Sequence, residues 1–256
     1  MGATPYHPDM PSQHVRQNRK AWDFMAAGYQ AKHGERLTET ARAWGVWRIP
    51  EADLQALGEV AGRDVLELGC GAAQWSNALA EDGARAVGVD LSGEQLRHAR
   101  EATSSVSLVQ GSAEELPFAE ARFDLVFCDH GAMGFADPVK TVPEVARVLR
   151  PGGRFAFAIA SPFLFMCWNP KTERVDARLH APWFGMRSDE DEQTIQFQLP
   201  YAEWVRLFRD AGLGVERLIH LRPAEDATTT YDDYVSLRWA RSWPAEDLWV
   251  LSKPAA

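Results

Sequence analysis

The sequence predicts an α/β fold built around a mostly parallel sheet. Apolar segments of strand character alternate with helical segments between residues 64 and 160, at a spacing typical of βαβ units. A glycine-containing turn, Gly69-Cys70-Gly71, follows the first of these strands, where open parallel sheets bind ligands. The chain has 256 residues, of which 46% are hydrophobic and 25% charged, so it can bury one sizeable core.

The first sixty residues are predicted to form a leader and a helical cap. Residues 1–20 are polar and contain three prolines, which is typical of a mobile leader. Apolar residues then recur at helical spacing between Asn18 and about Gly34, which predicts an amphipathic helix. A second helix is predicted over 37–47 and a short third one over 51–60. We expect residues 61–256 to form the main domain.

Strand and helix signals alternate through that domain. The predicted strands are Asp64–Leu68, Ala86–Asp90, Val106–Val109, Phe123–Cys128, Arg154–Ala160, Val215–Leu221 and Asp247–Ser252. The predicted helices are 72–81, 92–103, 138–149 and 201–211. The alternation stops between residues 161 and 199, which are rich in aromatic side chains. We therefore expect a lid-like insertion there, after the fifth strand.

Composition excludes several classes of protein. Lys and Arg number 27 against 36 Asp and Glu, a formal charge of −9, which disfavours nucleic acid as the main partner. The longest apolar stretch, 155–168, is broken and too short for a membrane span of about 20 residues. The three cysteines are widely spaced and form no CxxC pair, which predicts a reducing, cytoplasmic location without a metal site.

Two acidic residues and the glycine turn indicate the ligand. Glu67 stands beside the turn, where its charge is adverse to a diphosphate and favourable to an ammonium group. Asp90 ends the second strand, where a carboxylate can accept both hydroxyls of a ribose. Gln74 leaves the dinucleotide fingerprint GxGxxG incomplete. These features together describe S-adenosylmethionine better than NAD.

These residues carry a resemblance to a known family. The chain resembles class I S-adenosylmethionine-dependent methyltransferases, in particular the small-molecule branch similar to enzymes of ubiquinone and menaquinone biosynthesis. Five motifs occur in the family's order: Val65-Leu-Glu-Leu-Gly-Cys-Gly71, Val87-Gly-Val-Asp-Leu-Ser92, Gly111-Ser-Ala-Glu-Glu-Leu-Pro-Phe118, Phe123-Asp-Leu-Val-Phe-Cys128 and Leu149-Arg-Pro-Gly-Gly153. They cover about residues 60–160. The resemblance implies a Rossmann-like fold: a seven-stranded sheet with one antiparallel strand and helices on both faces.

The resemblance also implies roles for individual residues. Glu67 would lie near the methionine amine, Asp90 on the ribose and Leu91 on one face of the adenine. The full set expected at the cofactor is Tyr29, Glu67, Gly69, Cys70, Gly71, Asp90, Leu91, Ser112, Ala113, Glu114, Cys128 and Asp129. Ala73 stands where the family often has a third glycine, and Ser112 where it commonly has Asp.

The sequence gives fewer signals for the residues that contact the methyl acceptor. His130 follows the fourth strand, where a neutral imidazole could accept the acceptor's proton, or could simply bond the backbone at a strand end. Four further side chains are expected to line the acceptor pocket: His33, Trp168, His180 and Trp183. Trp204, Trp239 and Trp249 are expected to pack the last helix and strands.

The resulting functional hypothesis is O-, N- or C-methylation of a small molecule. Motifs of nucleic-acid amino-methylating enzymes, such as Asp/Asn-Pro-Pro-Tyr after the fourth strand, do not occur in the sequence. Two alternatives stay open: a protein of the same fold that binds S-adenosylmethionine without transferring methyl, and an NAD-dependent oxidoreductase. The expected partner is a small-molecule acceptor, with no nucleic acid and no membrane, on a monomer or homodimer.

Overall fold

The computed structural model describes residues 12–102, 105–190 and 193–255. Most of the predicted leader, residues 1–11, lies outside the described residues. The strands are β1 (Ala43–Trp44), β2 (Ile49–Pro50), β3 (Asp64–Leu68), β4 (Arg85–Asp90), β5 (Ser107–Gln110), β6 (Phe123–Asp129), β7 (Leu149–Ala160), β8 (Trp168–Asn169), β9 (Arg174–Val175), β10 (Ser188–Glu190), β11 (Ile195–Phe197), β12 (Gly214–Leu221) and β13 (Glu246–Ser252). The helices are α1 (Gln13–Glu39), α2 (Glu51–Leu54), α3 (Gln74–Glu81), α4 (Gly93–Ala102), α5 (Ala132–Phe135), α6 (Pro138–Val148), α7 (Pro162–Cys167), α8 (Tyr201–Asp210) and α9 (Leu237–Ala240).

A seven-stranded sheet organises the molecule, in the order β12-β13-β7-β6-β3-β4-β5. Strands β3 to β7 run parallel, and β13 pairs antiparallel with both β7 and β12. The predicted sheet with one antiparallel strand is therefore confirmed. The chain order reverses at β3, which has β4 on one side and β6 on the other. In open α/β sheets such a switch point opens a crevice at the carboxyl ends of the strands.

Both faces of the sheet are buried, because its strands are apolar at successive positions. Along β6, Leu125 and Phe127 pack into one core, while Val126 and Cys128 pack into the other. Trp204 and Trp249 belong to the second of these cores, and Trp239 packs in a smaller cluster beside α7. Packing of these three tryptophans, as expected from the sequence, is confirmed.

The N-terminal cap differs from the prediction. Helix α1 is one helix of 27 residues that starts at Gln13, so residues 13–20 are helical and not part of a leader. The helix predicted over 37–47 is wrong: Ala43–Trp44 and Ile49–Pro50 form an antiparallel hairpin. The reason is tertiary, because Trp44 is fully buried against Trp75 and Phe127 of the core.

Helix α1 lies across the carboxyl ends of the strands and is pinned there by Asn18. The Asn18 amide donates to the carbonyls of Phe135 at 2.7 Å and Ile195 at 2.8 Å, and accepts from the Ile195 N–H at 2.7 Å. Residues 161–199 contain α7 and the hairpins β8–β9 and β10–β11. Among the described helices, none is long and apolar enough to cross a bilayer.

Candidate cofactor and acceptor site

A cavity of about 350 Å³ lies at the carboxyl ends of β3, β4 and β6. Its volume falls within the range of small-molecule sites. Ten of the twelve residues expected at a cofactor line it: Tyr29, Glu67, Gly69, Cys70, Gly71, Asp90, Leu91, Ser112, Ala113 and Asp129. These residues therefore lie together at the switch point of the sheet.

The turn after β3 depends on two glycines with positive φ. Gly69 has φ +70°, and a Cβ added there would lie 2.3 Å from the backbone nitrogen of Ala132. At Gly71, with φ +53°, an added Cβ would approach nothing closer than 3.8 Å. A side chain at position 69 would thus collide with the turn after β6, so glycine is required there. Gly71 instead leaves its backbone open toward the cavity.

Asp90 ends β4 with both carboxylate oxygens engaged by backbone. One oxygen accepts from the Gly71 N–H and the other from the Ser92 N–H, each at 2.8 Å. Burial raises the pKa of Asp90 to about 6. Each carboxylate oxygen can accept a further hydrogen bond, so Asp90 keeps capacity for hydroxyl donors of a ligand.

Glu67 is buried, with 5% of its surface exposed. One carboxylate oxygen accepts from the Ser76 N–H at 3.0 Å and from the Ser76 hydroxyl at 2.5 Å, which fixes the start of α3. Burial raises the pKa of Glu67 to about 8, and the nearby Asp129 and Asp90 charges add to the shift. No cation of the described chain pairs with this carboxyl group, so a positively charged ligand would favour its ionised form.

Comparisons with known proteins agree with this geometry. Residues 66–157 match a family model described as a methyltransferase domain. An uncharacterised methyltransferase of Synechocystis sp. is 37% identical over 134 residues, which are 51% of this chain and 63% of that protein. Malonyl-[acyl-carrier protein] O-methyltransferase of Pseudescherichia vulneris is 36% identical over 135 residues, 51% of this chain and 52% of that protein. The matches thus span one half to two thirds of these relatives.

The fold is also similar to that of solved methyltransferases. A solved S-adenosylmethionine-dependent methyltransferase from Mesorhizobium loti superposes with a TM-score of 0.65 at 20% identity, covering 78% of this chain and 95% of that one. Residues 66–157 of the chain therefore form a methyltransferase domain. The resemblance drawn from the five motifs is confirmed.

The residues of this methyltransferase domain fit S-adenosylmethionine. A ribose diol requires an acceptor, which Asp90 offers, and the ligand's ammonium requires an anion, which Glu67 offers. The amide of Gln30, which sequence reasoning missed, bridges α3 and α4: it accepts from Gln74 at 3.0 Å and donates to Gln95 at 2.9 Å. No sequence signal marks Gln30, because glutamine is ordinary within a helix.

Three residues expected at the cofactor have other partners in the structure. Glu114 binds His14, the Asp137 N–H at 2.9 Å and Lys140 at 3.1 Å, which ties α1 to α6 outside the cavity. Cys128 is fully buried in the core, with its Sγ 3.5 Å from the Met133 nitrogen. Neither lines the cavity, and their contacts with the cofactor stay predictions.

Asp129 is the third. It reaches the cavity wall, but its carboxylate pairs with Arg48 at 2.9 Å and accepts from the Gly45 N–H at 2.9 Å. The indole of Trp75 donates to it at 3.3 Å. Asp129 therefore fastens the β1–β2 hairpin to the sheet, and its cofactor role stays a prediction.

The side chains expected to line the acceptor pocket are absent from the wall of this cavity. His33 stacks on Tyr231 at 4.1 Å and bonds Thr230 at 2.7 Å, one layer behind the wall. Trp168 and His180 line a separate cavity formed by the insertion. Trp183 packs on Tyr201, with ring centroids 5.9 Å apart. These residues belong to the cap and the insertion, as the sequence indicates, but their side chains pack away from this cavity.

Other aromatic side chains line this cavity. These residues, mostly missed by sequence reasoning, are Trp22, Phe135, Phe165, Phe197, Tyr231 and Tyr234. Tyr29 joins them, with its hydroxyl 2.5 Å from that of Tyr231. The aromatic richness of the cap and insertion was a signal for Trp22, Phe165 and Phe197, but nothing in the sequence marked Phe135, Tyr231 or Tyr234.

His130 lines the cavity and has φ +51°. Its backbone N–H donates to the Ala158 carbonyl at 3.1 Å, while its ring Nε2 lies 2.5 Å from a carboxylate oxygen of Glu246. The ring thus bonds a carboxylate, not the backbone. Burial alone would lower the His130 pKa, but the charge and hydrogen bond of Glu246 outweigh burial and hold the pKa above its ordinary value.

Proposed function

We propose that this chain transfers a methyl group from S-adenosylmethionine to a small-molecule acceptor. One observation carries the proposal: a single cavity joins a polar end, formed by Asp90 and Gly71, to an aromatic end that includes Tyr231. The polar end suits the cofactor and the aromatic end suits a flat or apolar acceptor. A protein that only bound the cofactor would have no use for the second end.

The chain's own residues hold and shield the reactants. When bound, S-adenosylmethionine supplies a methyl group made electrophilic by a sulfonium. Asp90 would hold the ribose and Glu67 the amine of the cofactor, which leaves the aromatic wall for the acceptor. Methyl transfer is an in-line displacement, and holding two reactants aligned is the largest contribution such a site can make. The wall also excludes water from the reacting atoms.

We further propose that residues 161–199 serve as a lid and residues 1–60 as a leader and cap on the domain of 61–256. Phe165, Gln196 and Phe197 of the lid line the cavity, as Trp22 and Tyr29 of the cap do. Three buried free thiols, Cys70, Cys128 and Cys167, are compatible with a cytoplasmic location. The charge of −9 supports a small-molecule partner over nucleic acid, on a monomer or homodimer.

A labelled-methyl assay tests the proposal. Purified protein and S-adenosylmethionine labelled in the methyl group are incubated with panels of phenols, amines, quinones and fatty acids. We expect label in one acceptor class, with demethylated cofactor formed in equal amount. Cofactor binding by calorimetry without transfer to any acceptor would favour the non-transferring alternative. Tight binding of NADH, with none of S-adenosylmethionine, would favour the oxidoreductase.

A further inference from the structure

The antiparallel strand β13 brings an acidic residue to the edge of the sheet where the cavity lies. Strands β3 to β7 end at the cavity, but β13 runs the opposite way and begins there. Its first residue, Glu246, is paired in register with Ala160, the last residue of β7. The Glu246 side chain is 1% exposed. A carboxylate is thus buried immediately behind the cavity wall.

Its neighbours fix this carboxylate in place. One oxygen lies 2.5 Å from His130 Nε2 and accepts from the Val46 N–H at 2.9 Å. The other oxygen is buried with no hydrogen-bond partner among the described residues. A Cβ added at Gly45 would lie 2.7 Å from the first oxygen, so the β1–β2 turn closes over the group. Glu246 therefore cannot turn away from His130.

We propose that Glu246 is a positioning residue that holds His130 as the base for an acceptor bearing a hydroxyl group, such as a phenol or enol. The inference rests on the proposed function and names the acceptor class for the same cavity. With Nε2–H donated to Glu246, Nδ1 presents its lone pair. Within the described chain Nδ1 has no hydrogen-bond partner, and the His130 ring lines the cavity.

The proton and electron balance is simple. The acceptor's O–H proton passes to Nδ1, the oxygen bonds the donor's methyl carbon, and the S–CH3 bonding pair stays on sulfur as a neutral thioether. The imidazolium that forms lies against the Glu246 carboxylate, which stabilises its charge. An amine acceptor needs no proton removed before its nitrogen attacks if it arrives neutral, so this pair favours hydroxyl acceptors.

Four groups face the His130 ring from the elements around it. They are Glu246 of β13, Asp129 of β6, Arg48 of the β1–β2 turn and Tyr234, whose ring lies edge-on at 6.2 Å. Arg48 already pairs with Asp129. Of the two carboxylates, Glu246 is therefore the one that pairs with His130. Removing the Glu246 charge tests its effect on the His130 ring without breaking the pair of Arg48 and Asp129.

The test compares Glu246→Gln with Asp247→Asn. Asp247, the next residue of β13, pairs with His220 at 2.7 Å, and neither lines the cavity, so it is a matched control. Using phenols that are protonated at the assay pH, we expect Glu246→Gln and His130→Ala to lower kcat by about 10²–10⁴-fold. Cofactor Kd should change less than twofold. The loss should largely vanish with a nitrophenol already ionised at that pH.

A second readout does not depend on turnover. With demethylated cofactor bound, wild-type protein and Asp247→Asn should shift a bound nitrophenol toward its yellow phenolate at a pH where it is protonated in solution. Glu246→Gln and His130→Ala should not. If Glu246→Gln fails to fold, Glu246→Asp, which keeps the charge but withdraws the carboxylate from His130, takes its place in both tests.

The outcomes separate this inference from the proposed function. Wild-type protein that transfers methyl to no acceptor would overturn the proposed function and this inference with it. Wild-type protein that methylates amines alone, or Glu246→Gln equal to wild type on protonated phenols, would overturn this inference and leave the proposed function standing. Equal losses in Asp247→Asn would also overturn it, since the effect would then belong to β13 as a whole.

Discussion

The carboxylate of Asp90 accepts a hydrogen bond from the Gly71 N–H over 2.8 Å, which links the end of β4 to the turn after β3. The same side chain thus shapes the glycine turn and offers its remaining acceptor capacity to the cavity. Loss of Asp90 should consequently affect the ligand in two ways, through its own hydrogen bonds and through the backbone of the turn.

Asp90→Ala should weaken S-adenosylmethionine binding by well over tenfold. Two hydrogen bonds from ligand hydroxyls to a charged group are worth about 1.5–3 kcal/mol each. Calorimetry on the folded variant measures the change. Asp137→Ala is the control, because Asp137 also caps backbone, at Val139 N over 3.0 Å, but lies outside the cavity. Unchanged affinity in Asp90→Ala would remove Asp90 from the cofactor site.

The two glycines of the turn should respond differently to substitution. Gly69→Ala places a Cβ 2.3 Å from backbone, so it should destabilise the fold by several kcal/mol. Gly71→Ala meets only ordinary van der Waals contacts and should cost about 1–2 kcal/mol for its left-handed φ. The larger Gly71→Val should abolish cofactor binding while the far-UV spectrum stays near native. Urea denaturation and calorimetry give the two quantities, and equal destabilisation by both alanines would contradict the geometry.

Glu67 should make the ligand-free protein less stable as pH rises. Its pKa is raised from an ordinary 4.5 to about 8, so between these values the folded state binds more protons than the unfolded state. The free energy of unfolding should then fall by up to about 1.4 kcal/mol per pH unit across that window. Glu67→Gln should remove this part of the slope.

Urea titrations at pH 5 and pH 8 measure the Glu67 effect. Asp90, whose pKa is raised to about 6, contributes in the same direction at lower pH, and it does so in both proteins. The difference between wild type and Glu67→Gln therefore isolates Glu67. A variant with the same slope as wild type would show that Glu67 is already ionised in the folded protein.

The pair of Arg48 and Asp129 should carry much of the attachment of the β1–β2 hairpin. Their side chains are 3% and 7% exposed, so Arg48→Met would leave a buried carboxylate without its cation, at a cost of about 3–5 kcal/mol. Arg85→Met is the control: Arg85 pairs with Asp64 at 2.8 Å but is 60% exposed, so its loss should cost less than about 1 kcal/mol. Equal costs by urea denaturation would contradict the buried pair.

Local patterns in the sequence were sufficient to predict the sheet and the polar end of the site. Strand β3 was predicted at its observed bounds, because a short, mainly apolar segment followed by a glycine turn is typical of a buried strand. Glu67 and Asp90 followed from their places at strand ends, since parallel strands all finish at one edge. Both line the cavity, and the methyltransferase family inferred from the surrounding motifs is confirmed.

What each side chain contacts was decided only by the tertiary structure. Asp129 meets Arg48 from 81 residues away, and His130 meets Glu246 from 116 residues away. A helix was predicted over 37–47, yet Ala43–Trp44 forms a hairpin with Ile49–Pro50, because Trp44 gains more from burial in the core than the helix would gain from its own hydrogen bonds. Sequence periodicity records which way a residue faces within its own element. It carries no information on which distant element will pack against that face.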